Sequence, residues 1–205
     1  PFFSELLAGI GNRAAQLGYD MLVSTRAPGD DEERAYRAAI DGRRVDGFVL
    51  VRTRRQDPRI TLLQASHFPF VAFGRAEEKL NFPFVDEDGT YGMKLVVEHL
   101  ISLGHERIAC RAPPPELMFA HYRLQGFKEG LTVAGLQAND SLILTGDLTQ
   151  RGGYQQAGKL LDLPSPPTAI AACNDLMAFG AMSAAQDRGL VVGKDIAFTG
   201  FDDIP

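Results

Sequence analysis

Apolar positions recur along this chain in two alternating rhythms: spacings of three and four residues, and short unbroken runs. The clearest cycle lies near the middle. Met93, Val96, Val97, Leu100 and Ile101 fall at i, i+3, i+4, i+7 and i+8, one apolar stripe of a helix. Asp86 and Asp88 stand where that helix should begin, and either could cap an orphan N–H and meet the positive end of the dipole. Gly104 follows the last periodic residue and predicts a left-handed stop, after which Ile108, Ala109 and Cys110 read as a short buried strand.

The same alternation extends both ways. Upstream, Phe3, Leu6, Leu7, Ile10, Ala14 and Leu17 predict a helix ended by Gly18, followed by a strand at Met21, Leu22 and Val23. A turn at Pro28-Gly29-Asp30-Asp31 leads to a helix with Ala35, Ala38 and Ala39 facing inward. Next come a strand over 48–51, a polar loop from Arg52 to Pro58, a short helix carrying Ile60 and Leu63, a strand over 70–73, and Phe84-Val85. Downstream, helical stripes at Leu124, Phe127 and Leu131, at Tyr154, Ala157 and Leu161, and at Met177, Ala181, Ala184 and Ala185 separate strands over 142–144, 169–173 and 196–198. Strands alternating with helices predict an α/β fold whose parallel sheets are covered on both faces, and the rhythm runs through two halves without a sequence repeat.

Composition narrows the function classes. A length of 205 residues suffices for two lobes, and the 45% hydrophobic and 23% charged content is that of an ordinary globular chain with no membrane-spanning run. The net charge of −5 makes this chain a poor binder of DNA phosphates, which are usually gripped by a basic face. Cys110 and Cys173 are far apart, without CxxC or paired His, so neither zinc nor another metal is expected. P-loop and G-x-S-x-G motifs are absent, and the expectation is no cofactor and no enzyme activity.

A series of motifs carries a family resemblance: HLISLGHERIAC ending at Cys110, RLQGF from Arg123, GDLTQRGGYQQAGKLL from Gly146, PTAIAACNDLMAFGAM from Pro167 and GLVVGKDIAFTGFDDIP from Gly189. In this order they resemble the effector-binding domain of the LacI/GalR bacterial transcription regulators. The resemblance implies two Rossmann-like lobes of the periplasmic-binding-protein type, with a ligand cleft between them. The lobes are expected over 1–86 and 87–205, without a first strand before Pro1 and crossover strands after Pro205, so the chain reads as part of a longer protein. It further implies a cytoplasmic homodimer that meets operator DNA through a helix-turn-helix outside this chain, and no membrane association. The rival is a periplasmic sugar-binding protein of an uptake system, which shares the two-lobe fold; LGHERIA and GFDDIP favour the regulator.

Ligands of open α/β sheets bind at the C-terminal ends of strands, and the resemblance selects residues there. Arg123 would clamp ligand hydroxyls or a carboxylate; otherwise it is a surface arginine at a helix start. Asn174 would enter the pocket while Asp175 caps the next helix, and Asp202 would be a ligand-binding acid rather than a turn residue. Phe2 and Phe3 would form a pocket wall, although Phe3 also fits the helical stripe. Leu148 stands where relatives place an aromatic ring. Asp86 and Glu87 are explained as helix-start acids, His105 as a partner of helix-end carbonyls, and Arg52 to Arg55 as a solvated run. The small residues Gly180, Ala181, Ala184 and Ala185 would suit a subunit contact or packing on their own sheet. One arginine facing one acid leaves little net positive charge, which favours a neutral sugar over a phosphorylated ligand.

Overall fold

A computed structural model describes residues 2–77 and 81–204, and the chain divides into two compact units, Pro1–Val85 with Ile204–Pro205, and Asp86–Asp203. Pro1 and Pro205, the outer ends of the expected lobes, lie outside the described residues.

The first unit contains α1 (Phe2–Gln16), α2 (Asp30–Asp41), β1 (Phe48–Leu50), α3 (Pro58–Ala65), β2 (Phe70–Phe73) and β3 (Phe84–Val85). Its strands are parallel in the order β1-β2-β3, with Phe48 opposite Phe70 and Ala72 opposite Phe84. Leu50, Ile60, Leu63, Ala72 and Phe82 form the core, with Tyr36 and Ile40 packed against it.

Three expectations need correction here. Met21, Leu22 and Val23 are exposed and form no strand, because a strand persists only where a neighbour takes up its N–H and C=O groups, and none of the described strands does. Ala38 is exposed, and the inward face of α2 is set by Glu32, Tyr36 and Ile40. Glu32 is buried because both terminal nitrogens of Arg54 donate to its two oxygens, each at 2.8 Å. The run from Arg52 to Arg55 is therefore only partly solvated: Arg54 is held by Glu32 in a largely buried pair, whereas Arg52 and Arg55 are exposed, Arg55 paired with Glu77 at the surface. Asp57 completes this network. It accepts from the Arg54 N–H at 3.0 Å, caps α3 through the Arg59 N–H at 3.1 Å, and pairs with the Arg59 guanidinium at 2.9 and 2.7 Å. A two-pronged, hydrogen-bonded geometry of this kind is what makes burying charge tolerable.

The second unit contains α4 (Gly89–Ser102), β4 (Ile108–Ala112), α5 (Met118–Val133), β5 (Ile143–Thr145), α6 (Gln150–Leu161), β6 (Ala169–Ala172), α7 (Asp175–Gln186) and β7 (Ala197–Thr199). The sheet is parallel throughout, in the order β5-β4-β6-β7. Alternate strand residues serve opposite faces: Ile108, Cys110 and Ala112 pack with Met93, Val97, Leu100, Phe127 and Leu131, whereas Ala109 and Ile170 pack with Ala157, Leu160, Ala181 and Ala184. Of the two candidate caps, Asp88 is the one used, accepting from the Tyr91 N–H at 2.9 Å, and Gly104 adopts φ +88°. β4 runs two residues past Cys110, with Arg111 paired opposite both Leu144 and Ala172. The His105 ring contacts the Thr168 hydroxyl at 3.0 Å, and the helix-end carbonyl of Leu100 is met by the His105 backbone N–H instead.

The small-residue face of α7 is used inside the unit. Ala181, Ala184 and Ala185 are fully buried, and a Cβ on Gly180 would lie 1.9 Å from the Gln150 carbonyl oxygen of α6.

Cys110 and Cys173 are free and buried, on neighbouring strands or just beyond. Burial pushes the Cys110 thiol up to about 12 and that of Cys173 well above its ordinary value. Because the thiolate is the reacting form, neither cysteine is expected to react with a thiol reagent in the native chain, and both in denaturant without reductant. A native-state titre of even one thiol would contradict this packing.

Candidate functional site

The C-terminal ends of β4, β6 and β7 are where an open parallel sheet gathers polar groups, and the second unit gathers them around Arg123. This residue sits in the second turn of α5 and is 7% exposed, not a surface arginine at a helix start. One terminal nitrogen donates to the Cys173 carbonyl oxygen and, at 3.5 Å, to Asp202; the other donates to Glu87 at 2.9 Å. Phe119, one helical turn earlier, lies 5.0 Å from the guanidinium carbon, and Phe201 lies 3.8 Å from it, so the planar cation is stacked on ring faces. Its Nε has no partner.

The neighbouring residues are fixed by local chemistry. Asn174 caps α7, its side-chain oxygen accepting from the Met177 N–H at 3.0 Å while its Nδ2 donates to the Leu148 carbonyl at 3.2 Å. The expected division of labour is thus corrected: Asn174 is the cap, and Asp175 instead accepts from the Phe201 N–H at 2.8 Å, holding the turn that carries Asp202. Leu148 has φ +66°, a left-handed conformation costly for a residue with a Cβ, and packs against Ala172, Cys173, Met177 and Ala178.

Arg123, Asn174, Asp202 and Leu148 are therefore linked through one short stretch, Cys173-Asn174. Phe2 and Phe3 belong to the first unit, where their rings meet edge to face at 5.3 Å and Phe2 also lies 6.0 Å from Phe73 at the end of β2. Three members of the second-unit cluster escaped the sequence reading: Glu87, assigned to the helix start, and the rings of Phe119 and Phe201. The available signals were an acid left over once Asp88 had capped α4, and an aromatic four residues before Arg123.

The cluster sets one cation against two acids. Burial raises Asp202, and Arg123 only partly resists this. Burial would raise Glu87 as well, but the charge of Arg123 together with the hydrogen bonds the carboxylate accepts outweighs it and leaves the carboxyl below its ordinary range. The two acids then act oppositely on stability. Asp202, raised, contributes most below the ordinary carboxylate range and loses that contribution as pH rises through its raised value. Glu87, lowered, contributes above that range and loses its contribution as pH falls through its lowered value. With urea midpoints followed from about pH 3 to about pH 8, across the carboxylate range, Asp202→Asn is expected to gain stability relative to the unsubstituted chain as pH rises, and Glu87→Gln to lose it. Parallel profiles would remove both assignments.

An arginine held between carboxylates and aromatic rings thus stands in this α/β domain at the strand ends, where open parallel sheets take small molecules. The sequence profile described as periplasmic binding proteins and sugar binding domain of the LacI family matches residues 1–204, and the chain belongs to this family. It is 36% identical over 204 residues to the HTH-type transcriptional repressor CytR of Escherichia coli K12, covering 100% of this chain and 60% of the repressor. It is 35% identical over 203 residues to the HTH-type transcriptional regulator AglR of Rhizobium meliloti, covering 98% and 57%. Among solved structures, a LacI-family regulatory protein from Chloroflexus aggregans is 40% identical with a TM-score of 0.89, over 100% of this chain and 74% of that one. A complex of the regulator CelR with cellobiose is 32% identical with a TM-score of 0.89, over 99% and 62%. This chain thus spans about three fifths of the length of the curated relatives it matches. Among the described residues no helix is long and apolar enough to cross a membrane, and no group of three His, Cys, Asp or Glu could hold a metal ion.

Proposed function

We propose that this chain is the effector-sensing domain of a cytoplasmic LacI-type transcriptional regulator, that its effector is a neutral sugar, and that it catalyses no reaction. In the full protein it would act as a homodimer, with operator DNA held by a segment outside this chain. Effector binding would shift operator affinity only through a difference in affinity for two states of the protein.

The observation that carries the sugar class is the pairing of Arg123 with both Glu87 and Asp202. Two partly buried carboxylates against one guanidinium offer acceptors for vicinal hydroxyls and repel a phosphate, more strongly as the effective dielectric falls. The guanidinium fork is already engaged by protein oxygens, so sugar hydroxyls would meet the free lone pairs of the acids. The neighbouring CelR complex with cellobiose is consistent with this class, and the relatives named above are regulators, which favours this reading over an uptake receptor.

The test is a thermal-shift panel of cellobiose, ribose, further neutral mono- and disaccharides, glucose 6-phosphate and free nucleosides. A neutral sugar at about one hundred times its Kd is expected to stabilise the chain by about 2.7 kcal/mol. Stabilisation by glucose 6-phosphate alone would overturn the proposal.

A further inference from the structure

Arg111 is the most buried charged side chain of the second unit, at 0% exposure, and among the described residues no carboxylate forms an ion pair with it. Its terminal nitrogens donate instead to two backbone carbonyls, Leu144 at 3.3 Å and Gly152 at 3.4 Å, and its Nε has no partner. Those two carbonyls lie on opposite sides of one loop: Leu144 is in β5, Gly152 in the first turn of α6, and Gly146-Asp147-Leu148-Thr149 runs between them. A Cβ on Gly146 would lie 2.8 Å from an Arg111 terminal nitrogen, so the loop rests directly on the guanidinium.

The loop is strained at Leu148, and the Leu148 carbonyl is the group that Asn174 holds, one residue from the Cys173 carbonyl that receives Arg123. A left-handed residue with a Cβ persists only where its surroundings over-determine it. The geometry points to Arg111 as a positioning residue that staples both ends of the Gly146–Thr149 loop and thereby keeps Leu148 in the conformation that completes the Arg123–Asn174–Asp202 cluster. Aliphatic side chains at this strand position would fill the same space without reaching either carbonyl. This inference rests on the sugar-site reading for its functional consequence, but its structural claim is independent of any ligand.

Arg111→Met keeps the volume and removes the donors; it also removes a buried charge without a counter-charge, itself costly to keep, which offsets the two lost hydrogen bonds, so the fold should survive. Where it does not, Arg111→Lys serves the same purpose, since it replaces the planar two-nitrogen fork with a single point charge. Amide hydrogen exchange on the ligand-free chain is the deciding measurement. Exchange at residues 146–149 is expected to accelerate at least tenfold while the amides of β4 and β6 keep their rates. Leu148→Asn, which tolerates the left-handed region, should reduce that acceleration at least threefold. Loop exchange that accelerates no more than β4 and β6 would overturn the proposal, because a merely structural arginine loosens the whole sheet. Titration with cellobiose and ribose adds the functional arm: whichever the unsubstituted chain binds should bind Arg111→Met at least tenfold more weakly, and unchanged affinity would also overturn it. If the unsubstituted chain binds no neutral sugar of the thermal-shift panel, the sugar reading fails by itself and the exchange data alone decide the role of Arg111.

Discussion

Arg123→Met is expected to cost the second unit about 3 kcal/mol, the lower end of the range for breaking a buried ion pair, and on the order of 10 °C in Tm. The loss would come less from the missing cation than from what it leaves behind. Glu87 and Asp202 would face each other without a counter-charge, and Phe201 would lose the planar group stacked at 3.8 Å. The cost falls at the lower end because Glu87 keeps 35% of its side chain in water. Adding Glu87→Gln and Asp202→Asn to the variant should restore half or more of the stability, since neutral amides need no cation. Urea unfolding of the three proteins measures both steps; a single variant as stable as the parent would mean that the cluster contributes nothing. Sugar affinity in Arg123→Met should fall about ten- to hundredfold, roughly 1.4–2.8 kcal/mol, because the two acids that would accept from the hydroxyls lose the cation that holds them in place.

The second large effect is expected at Gly180. In Gly180→Ala the new methyl would stand 1.9 Å from the Gln150 carbonyl oxygen and 2.7 Å from the Tyr154 nitrogen, both backbone atoms of α6 that no rotamer change can move. α6 and α7 would have to separate, opening the layer formed by Ala157, Leu160, Ala181 and Ala184. Overpacking of this kind costs about 3 kcal/mol or more, against a gain of about 1 kcal/mol in helix propensity. Gly9→Ala is the internal control: nothing lies within 4 Å of its added Cβ in α1, so it should be neutral or stabilising by up to about 1 kcal/mol. Equal midpoints for the two variants would refute the close approach.

Much of this architecture is legible from side-chain period alone. The stripe from Met93 to Ile101 places α4, and the runs at Ile108 and Ala169 place the two central strands, because burial on a helix face or within a parallel sheet imposes a period that survives in the sequence. The signal fails where long-range electrostatics decides the face. Nothing local announces that Glu32 turns inward, since its partner Arg54 is 22 residues away. Glu87 is likewise claimed by Arg123, 36 residues on, although its neighbours suggest only a helix start. It fails again at Met21 to Val23, whose composition suits a strand but whose state depends on a ladder neighbour. Around the candidate site, position relative to strand ends is enough to single out Asn174 and Asp202, whereas nothing local marks Phe119 and Phe201, because stacking on Arg123 is a property of the assembled fold.

The strand order β5-β4-β6-β7 also dictates a sequence of events during folding. β4 is an inner strand, and its two partners come from far along the chain: Cys110 pairs with Ile143 about 30 residues later and with Ala171 about 60 later. Doubling a closed loop adds only about 0.6 kcal/mol of entropy, so the later pairing is scarcely penalised at equilibrium, but during vectorial synthesis it must wait. Until β6 emerges, β4 has only β5 to pair with, and two strands alone are marginal in water. The packed pair of helices α4 and α5, in close approach where Gly126 meets the Thr90 carbonyl, is complete by residue 133 and can cover one face of β4. The unprotected edge is then a transient of translation rather than of the finished protein, and it ends when β6 docks.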